Sequence, residues 1–337
     1  MVIATGEPDP FRDGFTALIA ARALCTACTL GVFDALREAP DSPAGLARRL
    51  ALDPRGADAL ATALVAMGYL EREGERVRNA AVSERLLVSS AEGSIAHFVG
   101  AQGELHWRVL GLLPESVREG RAFALHEERW EEDELWEGYI RGLFEISRAE
   151  QDANAALVDV EHPHRLVDVA GGHGGFAMAM CRRHPALRAE VLDLPPSVAV
   201  GRRIVHEQGF ADRVDFRAGD VFATGLGGPA DVVSVFNLVH HLPERRGREL
   251  VRLARRALRP GGCLVLGDSA RPEPGEDDDP RGAISSLLFH AWSHGRNFTP
   301  RELVGWLEDE GMADVTAHRN PDSPWRVVIT GRIGSRG

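Results

Sequence analysis

The sequence predicts an α/β protein in which a helical amino-terminal part precedes a doubly wound parallel sheet. Residues 14–38 carry apolar side chains at helical spacing and few charges, which is typical of a helix buried against a large surface. After residue 155, short runs rich in β-branched residues alternate with amphipathic segments. Strands that alternate with helices form a parallel sheet, and its ligand sites lie at the carboxyl ends of the strands. We therefore predict two domains, residues 1–155 and residues 156–337, and place the chemistry in the second.

The amino-terminal part combines the apolar first helix with a winged-helix pattern. Residues 14–38 are too poor in charge to face water, so we expect them to hold two copies of the chain together as a homodimer. The next stretch, DSPAGLARRLALDPRGADALATALVAMGYLEREGERVR, reads as two or three short helices followed by a charged hairpin. DNA-binding regulators share this pattern, which leaves a winged-helix protein that senses a nucleoside as one alternative function.

The overall charge restricts the partners that the protein can have. The chain has 39 Lys and Arg against 50 Asp and Glu, a net charge of -11 at pH 7, which argues against binding to nucleic acid or to an anionic membrane. No uncharged apolar run approaches the roughly 20 residues that span a bilayer, and the first residues do not resemble a signal peptide. We expect a cytoplasmic protein with a small-molecule partner.

A glycine-rich turn follows the first predicted strand of the second domain. The segment LVDVAGGHGGFAMAM places Gly171, Gly172 and Gly174 between a strand and a helix, with Asp168 two residues before Ala170. Missing side chains allow a ligand to approach the backbone and the helix amino terminus. The order of the glycines differs from the G-x-G-x-x-G pattern of nicotinamide and flavin enzymes.

Acidic residues follow the next two strands. Asp193 ends the run AEVLDL, where a carboxylate can accept hydrogen bonds from both hydroxyls of a ribose. Asp220 and Phe222 follow the run VDFRAGDV at the end of the third strand. The fourth and fifth strands are DVVSVFN and GCLVLGDS. Together with the glycine turn, these residues predict a nucleoside bound across consecutive strand ends.

Several motifs then resemble one enzyme family over nearly the whole chain. The motifs are VDVAGGHGG, VLDLP, GDVF, HHLPE, ALRPGGCLVL and GRNFTPRE. They resemble the class I S-adenosylmethionine-dependent methyltransferases, specifically the plant-type small-molecule O-methyltransferases and their bacterial relatives in antibiotic pathways. The resemblance implies a Rossmann-like catalytic domain and a winged-helix domain for dimerisation. It also implies S-adenosyl-L-methionine as cofactor, with the glycine turn at its methionine part, Asp193 on the ribose, and Asp220 with Phe222 at the adenine.

The resemblance also suggests a general base. In the family, a histidine after the fourth strand takes a proton from a substrate hydroxyl, and His240 stands at that position. A neutral imidazole suits this task. This chain departs from the family's supporting acids, because it has His241 and Leu242 in place of Asp-Trp, and Asp268 and Asn297 in place of two glutamates. We therefore expect the carboxylates that orient the base to be shortened or lost.

Further histidines suggest a metal site instead. His290 and His294 are four residues apart in the segment 286–294, so on a helix they project from one face. The family uses this segment to line the substrate pocket. We expect His290 and His294, with His241 or His240, to hold one divalent metal, zinc or iron, because imidazole suits both.

A metal in the pocket predicts a substrate that chelates it. The chain is similar in this respect to the branch of the family that methylates the β-carbon of α-keto acids in antibiotic precursor pathways. A Lewis acid that binds the carboxylate and the 2-oxo group stabilises the enolate. The sequence thus favours keto acid C-methylation, and the alternative is a metal-free O-methyltransferase of a phenolic or hydroxylated small molecule with His240 as general base.

The expected substrate contacts come from aromatic residues and an arginine. Trp107, Phe289 and Trp292 would favour an apolar or aromatic group, and Arg296 would meet a carboxylate. Two other arginines are alternatives for this last contact, Arg141 and Arg148.

Overall fold

A computed structural model shows a chain that divides into two compact units. The structure describes residues 9–124, 133–276, 280–293, 295–320 and 323–334. The first unit comprises Met1–Trp107 and Arg141–Ile146, and the second comprises Arg108–Ile140 and Ser147–Gly337.

The first unit is built from short helices and one hairpin. Its elements are a π-helical turn (Pro10–Thr16), α1 (Ala17–Thr29), α2 (Val32–Ala35), α3 (Pro43–Arg49), α4 (Pro54–Ala66), β1 (Leu70–Glu73), β2 (Arg76–Asn79), α5 (Ala81–Leu86) and a second π-helical turn (Phe98–Gln102). The helices α3 and α4 begin where Ser42 and Asp53 accept hydrogen bonds from backbone N–H groups three residues on, as N-cap side chains do. The antiparallel pair β1 and β2 is the predicted charged hairpin.

Apolar side chains near the start of the chain are exposed among the residues that the structure describes. Phe11 and Phe15 stack with ring centroids 5.7 Å apart, and both are exposed together with Leu18 and Ile19. Contiguous exposed apolar groups of this kind mark interaction surfaces.

The second unit alternates strands with helices, as the sequence predicts. Two helices contribute to both units, α6 (Gly103–Gly111) and α8 (Asp133–Ala156). The remaining helices are α7 (Leu113–Glu119), α9 (Gly175–Arg183), α10 (Pro195–Glu207), α11 (Val221–Thr224), α12 (Glu244–Ala257), α13 (Pro280–Ser293) and α14 (Pro300–Asp309). The strands are β3 (Arg165–Val169), β4 (Arg188–Asp193), β5 (Val214–Ala218), β6 (Ala230–Phe236), β7 (Leu258–Ser269), β8 (Ala313–Asn320) and β9 (Ser323–Arg332).

These strands form one mixed sheet in the order β5-β4-β3-β6-β7-β9-β8. The five strands β3 to β7 are parallel, whereas β9 runs antiparallel to both β7 and β8. The sequence predicted only the five parallel strands of this sheet. The difference has a simple cause, since two residues separate β8 from β9 and a parallel pair would need a long crossover.

The centre of the sheet is buried on both faces. Val167, Val233 and Leu264 of three neighbouring strands are fully buried, which explains why these strands read as continuous apolar runs. The carboxyl ends of β3 to β7 share one edge of the sheet, so the residues that follow each strand are brought together there. Within the described residues, no helix is both long and apolar enough to cross a membrane.

Candidate active site

The glycine turn lies between β3 and α9 and is held by close packing. Gly172 and Gly174 have φ angles of +48° and +71°, in the left-handed region that favours glycine. A Cβ atom on Gly171 would lie 2.4 Å from Oδ2 of Asp168, and one on Gly174 would lie 2.9 Å from Val205. The turn therefore has no room for a side chain at Gly171 or Gly174.

Asp168 lies beneath this turn. It is 1% exposed, and its Oδ1 accepts a hydrogen bond of 2.6 Å from the Ser234 hydroxyl. Burial raises the pKa of Asp168 to about 7, helped by the charge of Asp193 and opposed by the bond from Ser234. Asp168 thus packs against the turn, and the contact with the cofactor that we expect of it stays a prediction.

Asp193 ends β4 beside the turn. Its Oδ2 accepts from the Gly172 N–H at 2.8 Å and its Oδ1 from the Leu194 N–H at 2.6 Å, and the Ser197 side chain also bonds to this carboxylate. Burial raises the pKa of Asp193 to about 6. Tyr139 of α8 lies close by, since burial and then the charge of Asp193 raise the pKa of its hydroxyl.

Asp220 and Phe222 follow β5, which neighbours β4. Asp220 is the N-cap of α11, and its Oδ1 accepts from the Phe222 N–H at 2.9 Å. The Arg246 guanidinium lies over the Phe222 ring, 3.4 Å from the ring centroid. The ends of three adjacent strands thus present a glycine turn and two carboxylates.

His240 follows β6 and has a carboxylate partner. It lies in a short 3-10 helix, Val239–His241, and is 4% exposed. Its Nδ1 is hydrogen-bonded to Oδ1 of Asp268, and its backbone N–H donates to Oδ2 at 3.3 Å. Of the two outcomes expected for the supporting acids, shortened or lost, Asp268 shows the first: it is an aspartate where the family has glutamate, and it still bonds to His240. The shorter side chain reaches the imidazole because β6 and β7 are adjacent parallel strands.

Asn297 bonds to the first turns of α13. It is completely buried, and its Nδ2 donates to the Gly282 carbonyl at 3.1 Å and to the Ser285 hydroxyl at 2.8 Å. Asn297 therefore ties the segment after α13 back to the start of that helix.

The helix α13 supplies an aromatic wall beside His240. Phe289 stacks on His240 with ring centroids 3.8 Å apart, and Trp292 lies 5.9 Å from the ring of His241. Trp292 is also 6.1 Å from Tyr139 of α8. The surroundings of the buried imidazole are therefore largely aromatic.

The histidines that suggested a metal site make separate contacts. His241 Nδ1 is bound to the Ser293 hydroxyl at 2.8 Å, and His290 Nε2 to the Ser116 carbonyl at 3.2 Å. His294 lies outside the described residues. In the described parts of the chain, no three His, Cys, Asp or Glu side chains could jointly hold a metal ion.

Two expected substrate residues are engaged elsewhere. Arg296 forms two bonds with the carboxylate of Glu302, at 2.9 and 3.2 Å, and stands 4.1 Å above the Phe298 ring. Trp107 belongs to the first unit, where the Arg22 guanidinium lies 5.1 Å from its ring centroid. Their proposed contacts with a substrate remain predictions.

Comparison with known proteins is consistent with this geometry. Residues 114–313 match the O-methyltransferase domain family, and residues 13–89 match the O-methyltransferase dimerisation domain family. The chain is 30% identical to a 3-hydroxy-5-methyl-1-naphthoate 3-O-methyltransferase of Streptomyces sahachiroi, over 96% of this chain and 95% of that protein. It is 31% identical to the tetracenomycin polyketide synthesis 8-O-methyltransferase of Streptomyces glaucescens, over 91% and 92%.

One solved structure extends the similarity of the fold. Human N-acetylserotonin methyltransferase in complex with S-adenosylmethionine superposes with a TM-score of 0.85, covering 99% of this chain and 100% of that one at 22% identity. At this identity the likeness concerns the fold.

Proposed function

Because the chain belongs to the S-adenosylmethionine-dependent O-methyltransferase family, we propose that it methylates a phenolic hydroxyl of an aromatic small molecule in secondary metabolism. The observation that carries this proposal is the buried pair of His240 and Asp268 at the ends of adjacent strands, next to the aromatic wall of α13.

The residues at the ends of β3 to β5 suit the cofactor. S-adenosylmethionine supplies a methyl group activated by its bond to a positive sulfur. The bare glycine turn offers backbone to the methionine part, and the Asp193 carboxylate beside it suits the ribose hydroxyls. Asp220 uses one oxygen for its own helix cap, so its other oxygen remains for an amino group of the adenine.

His240 suits the role of general base. Asp268 accepts from Nδ1, which fixes the tautomer whose Nε2 carries a lone pair. We propose that Nε2 takes the phenolic proton while the oxygen gains the methyl group, the bond from that methyl to sulfur breaks and S-adenosylhomocysteine leaves, and that the Asp268 carboxylate stabilises the imidazolium that forms. His241 does not share this acid, since its Nδ1 is bound to Ser293.

The substrate class follows from the wall beside the base. The side chains packed near His240 are aromatic, among them Phe289, Trp292 and Tyr139, and such surroundings favour a planar, fused-ring phenol over a small keto acid. The names of the two bacterial relatives refer to a naphthoate and to tetracenomycin polyketide synthesis, which supports the same class.

Metal-dependent C-methylation of a keto acid has less support. The imidazoles of His240, His241 and His290 have separate partners on β7, α13 and α7, and the bacterial relatives named above are O-methyltransferases. The O-methylation that the sequence offered as an alternative fits better.

We also propose that the protein is a homodimer. The match to a dimerisation domain over residues 13–89 supports this, as do the exposed side chains of Phe11, Phe15, Leu18 and Ile19. Light scattering on the purified protein should give twice the mass of one chain, and a single-chain mass at micromolar concentration would contradict the proposal.

The function is tested by identifying the product. Purified enzyme is incubated with S-adenosylmethionine carrying a carbon-13 methyl group and a panel of naphthols, hydroxynaphthoates and α-keto acids. We expect an aryl methyl ether, recognised by the carbon-13 shift of its methyl group. A labelled methyl on the β-carbon of a keto acid, with the phenols left unchanged, would overturn the proposal.

A further inference from the structure

The loop that contains His240 is also held by residues other than His240 and Asp268. We propose that Asn237, Arg326 and Glu150 form a positioning network that sets where this loop leaves β6, and hence where the base meets its substrate. The inference rests on the proposed role of His240 and adds to it residues that contact neither the base nor its acid.

The backbone of Asn237 requires support. Asn237 follows the last residue of β6 and precedes His240 by three residues, and its φ angle is +52°. This left-handed conformation is disfavoured for most residues and is tolerated best by glycine and asparagine. The Asn237 N–H donates to the Gly267 carbonyl at 2.9 Å, so the turn is anchored on β7 beside Asp268.

Arg326 bonds to the side chain of Asn237. Its Nη2 donates to Oδ1 of Asn237 at 3.2 Å, while its Nε lies 3.1 Å from a carboxylate oxygen of Glu150 on α8. The Arg326 side chain is only 19% exposed and that of Glu150 28%. A guanidinium held by two partners is fixed in both position and plane.

The sheet register connects this network to the acid. Arg326 of β9 pairs with Ser269 of β7, and the next pair in the ladder is Val327 with Asp268. Arg326 and Asp268 therefore lie on neighbouring strands, one step apart. Arg326 fixes the start of the loop at Asn237, and Asp268 fixes its end at His240.

Conservative substitutions separate this positioning role from folding. Asn237→Gly keeps a residue that accepts the left-handed backbone but removes the acceptor of the Arg326 bond. Arg326→Lys keeps the charge beside Glu150 but cannot bond both partners in one plane. For each we expect kcat to fall roughly tenfold, with the KM for S-adenosylmethionine and the melting temperature nearly unchanged. Asn237→Asp retains an acceptor and should keep most of the activity.

The double variant Asn237→Gly with Arg326→Lys tests whether the residues act together. If they form one network, the double variant is no slower than the worse single variant. Arg332→Lys is the matched control, because Arg332 lies on the same strand and pairs with the exposed Asp159. It should leave kcat unchanged. The proposal would be overturned if the fold-losses in kcat of the two single variants multiply in the double variant. It would also be overturned if Asn237→Gly keeps the wild-type kcat.

A measurement without substrate separates this inference from the proposed function. In protein with carbon-13-labelled histidine, the imidazole resonance of His240 is assigned by its disappearance in His240→Ala. We expect this resonance to move in Asn237→Gly and Arg326→Lys but not in Arg332→Lys, and an unmoved resonance in the first two would contradict the network. If the wild-type enzyme methylates no phenol, the proposed function is wrong. The shift of the His240 resonance in the variants still tests whether Asn237 and Arg326 position the loop.

Discussion

The two halves of the candidate site are held in place by different kinds of contact. In the cofactor half, each of the two strand-end carboxylates bonds to a backbone group one or two residues away, Asp193 to Leu194 and Asp220 to Phe222, and Asp193 also bonds to the Gly172 N–H 21 positions away. In the substrate half, His240 bonds to a residue 28 positions away and His290 to one 174 positions away. The first half depends more on turns at strand ends, and the second depends entirely on how strands and helices are arranged in the fold.

This difference implies that the two halves can be damaged separately. Side chains after β6 and β7 should control the rate of methyl transfer with little effect on cofactor affinity, and side chains after β3 to β5 should do the reverse.

The largest effect is expected from removing the base. His240→Ala should lower kcat by about a thousandfold, within the range for loss of a general base. Affinity for S-adenosylhomocysteine, measured by calorimetry, should stay unchanged, because His240 touches none of the residues of the glycine turn. A large loss of affinity in this variant would show that the two halves are not separate.

A smaller effect, on binding, is expected in the cofactor half. Asp193→Ala removes a charged acceptor for two ribose hydroxyls, a loss of about 3 kcal/mol or roughly a hundredfold in the affinity for S-adenosylhomocysteine. Calorimetry measures it directly. Unchanged affinity would place the ribose elsewhere.

The affinity for the cofactor should also depend on pH. The pKa of Asp193 is raised to about 6 by burial, and the ribose hydroxyls bind better to the ionised form. Protonation of Asp193 as the pH falls through this value therefore weakens binding, by roughly tenfold per pH unit well below the pKa. Titrations with S-adenosylhomocysteine between about pH 5 and pH 8 test this. Asp193→Asn is the control, which keeps Asp168 but should lose this dependence.

The smallest effect is expected from removing metal. Because His240, His241 and His290 bind separate partners, treatment with a chelator followed by gel filtration should leave the rate of phenol methylation unchanged. The rate is measured before and after, with elemental analysis of both samples. Loss of activity that returns with zinc or iron would restore the metal site suggested by the sequence.

The same contrast explains what the sequence could and could not predict. Asp193 and Asp220 could be named from the sequence because each follows a predicted strand, a pattern visible within ten residues. Asp268 could be placed where the family has a supporting glutamate, but the sequence did not show that its shorter side chain reaches His240, because this depends on the geometry of the neighbouring strands β6 and β7. An acid at the end of the strand after the base was the available signal.

The substrate helix shows the limit of spacing arguments. The spacing of His290 and His294 suggested a shared ligand, but His290 contacts the Ser116 carbonyl of α7, a segment far away in sequence. Arg296 was expected to be available to substrate, yet it faces Glu302 across the turn before α14. The strands β8 and β9 were not predicted; the apolar run Val327–Ile329 was a signal for β9, and its antiparallel direction follows from the short connection to β8.

The most direct test of the account is the rate of Asp268→Asn. An amide at this position can donate to Nδ1 and so favour the tautomer whose Nε2 carries the proton and cannot act as base. We predict a fall in kcat of roughly a hundredfold or more for phenol methylation, with unchanged affinity for S-adenosylhomocysteine and a similar melting temperature. A variant that methylates the phenol at the wild-type rate would show that Asp268 does not orient His240 for catalysis, and would contradict the mechanism proposed here.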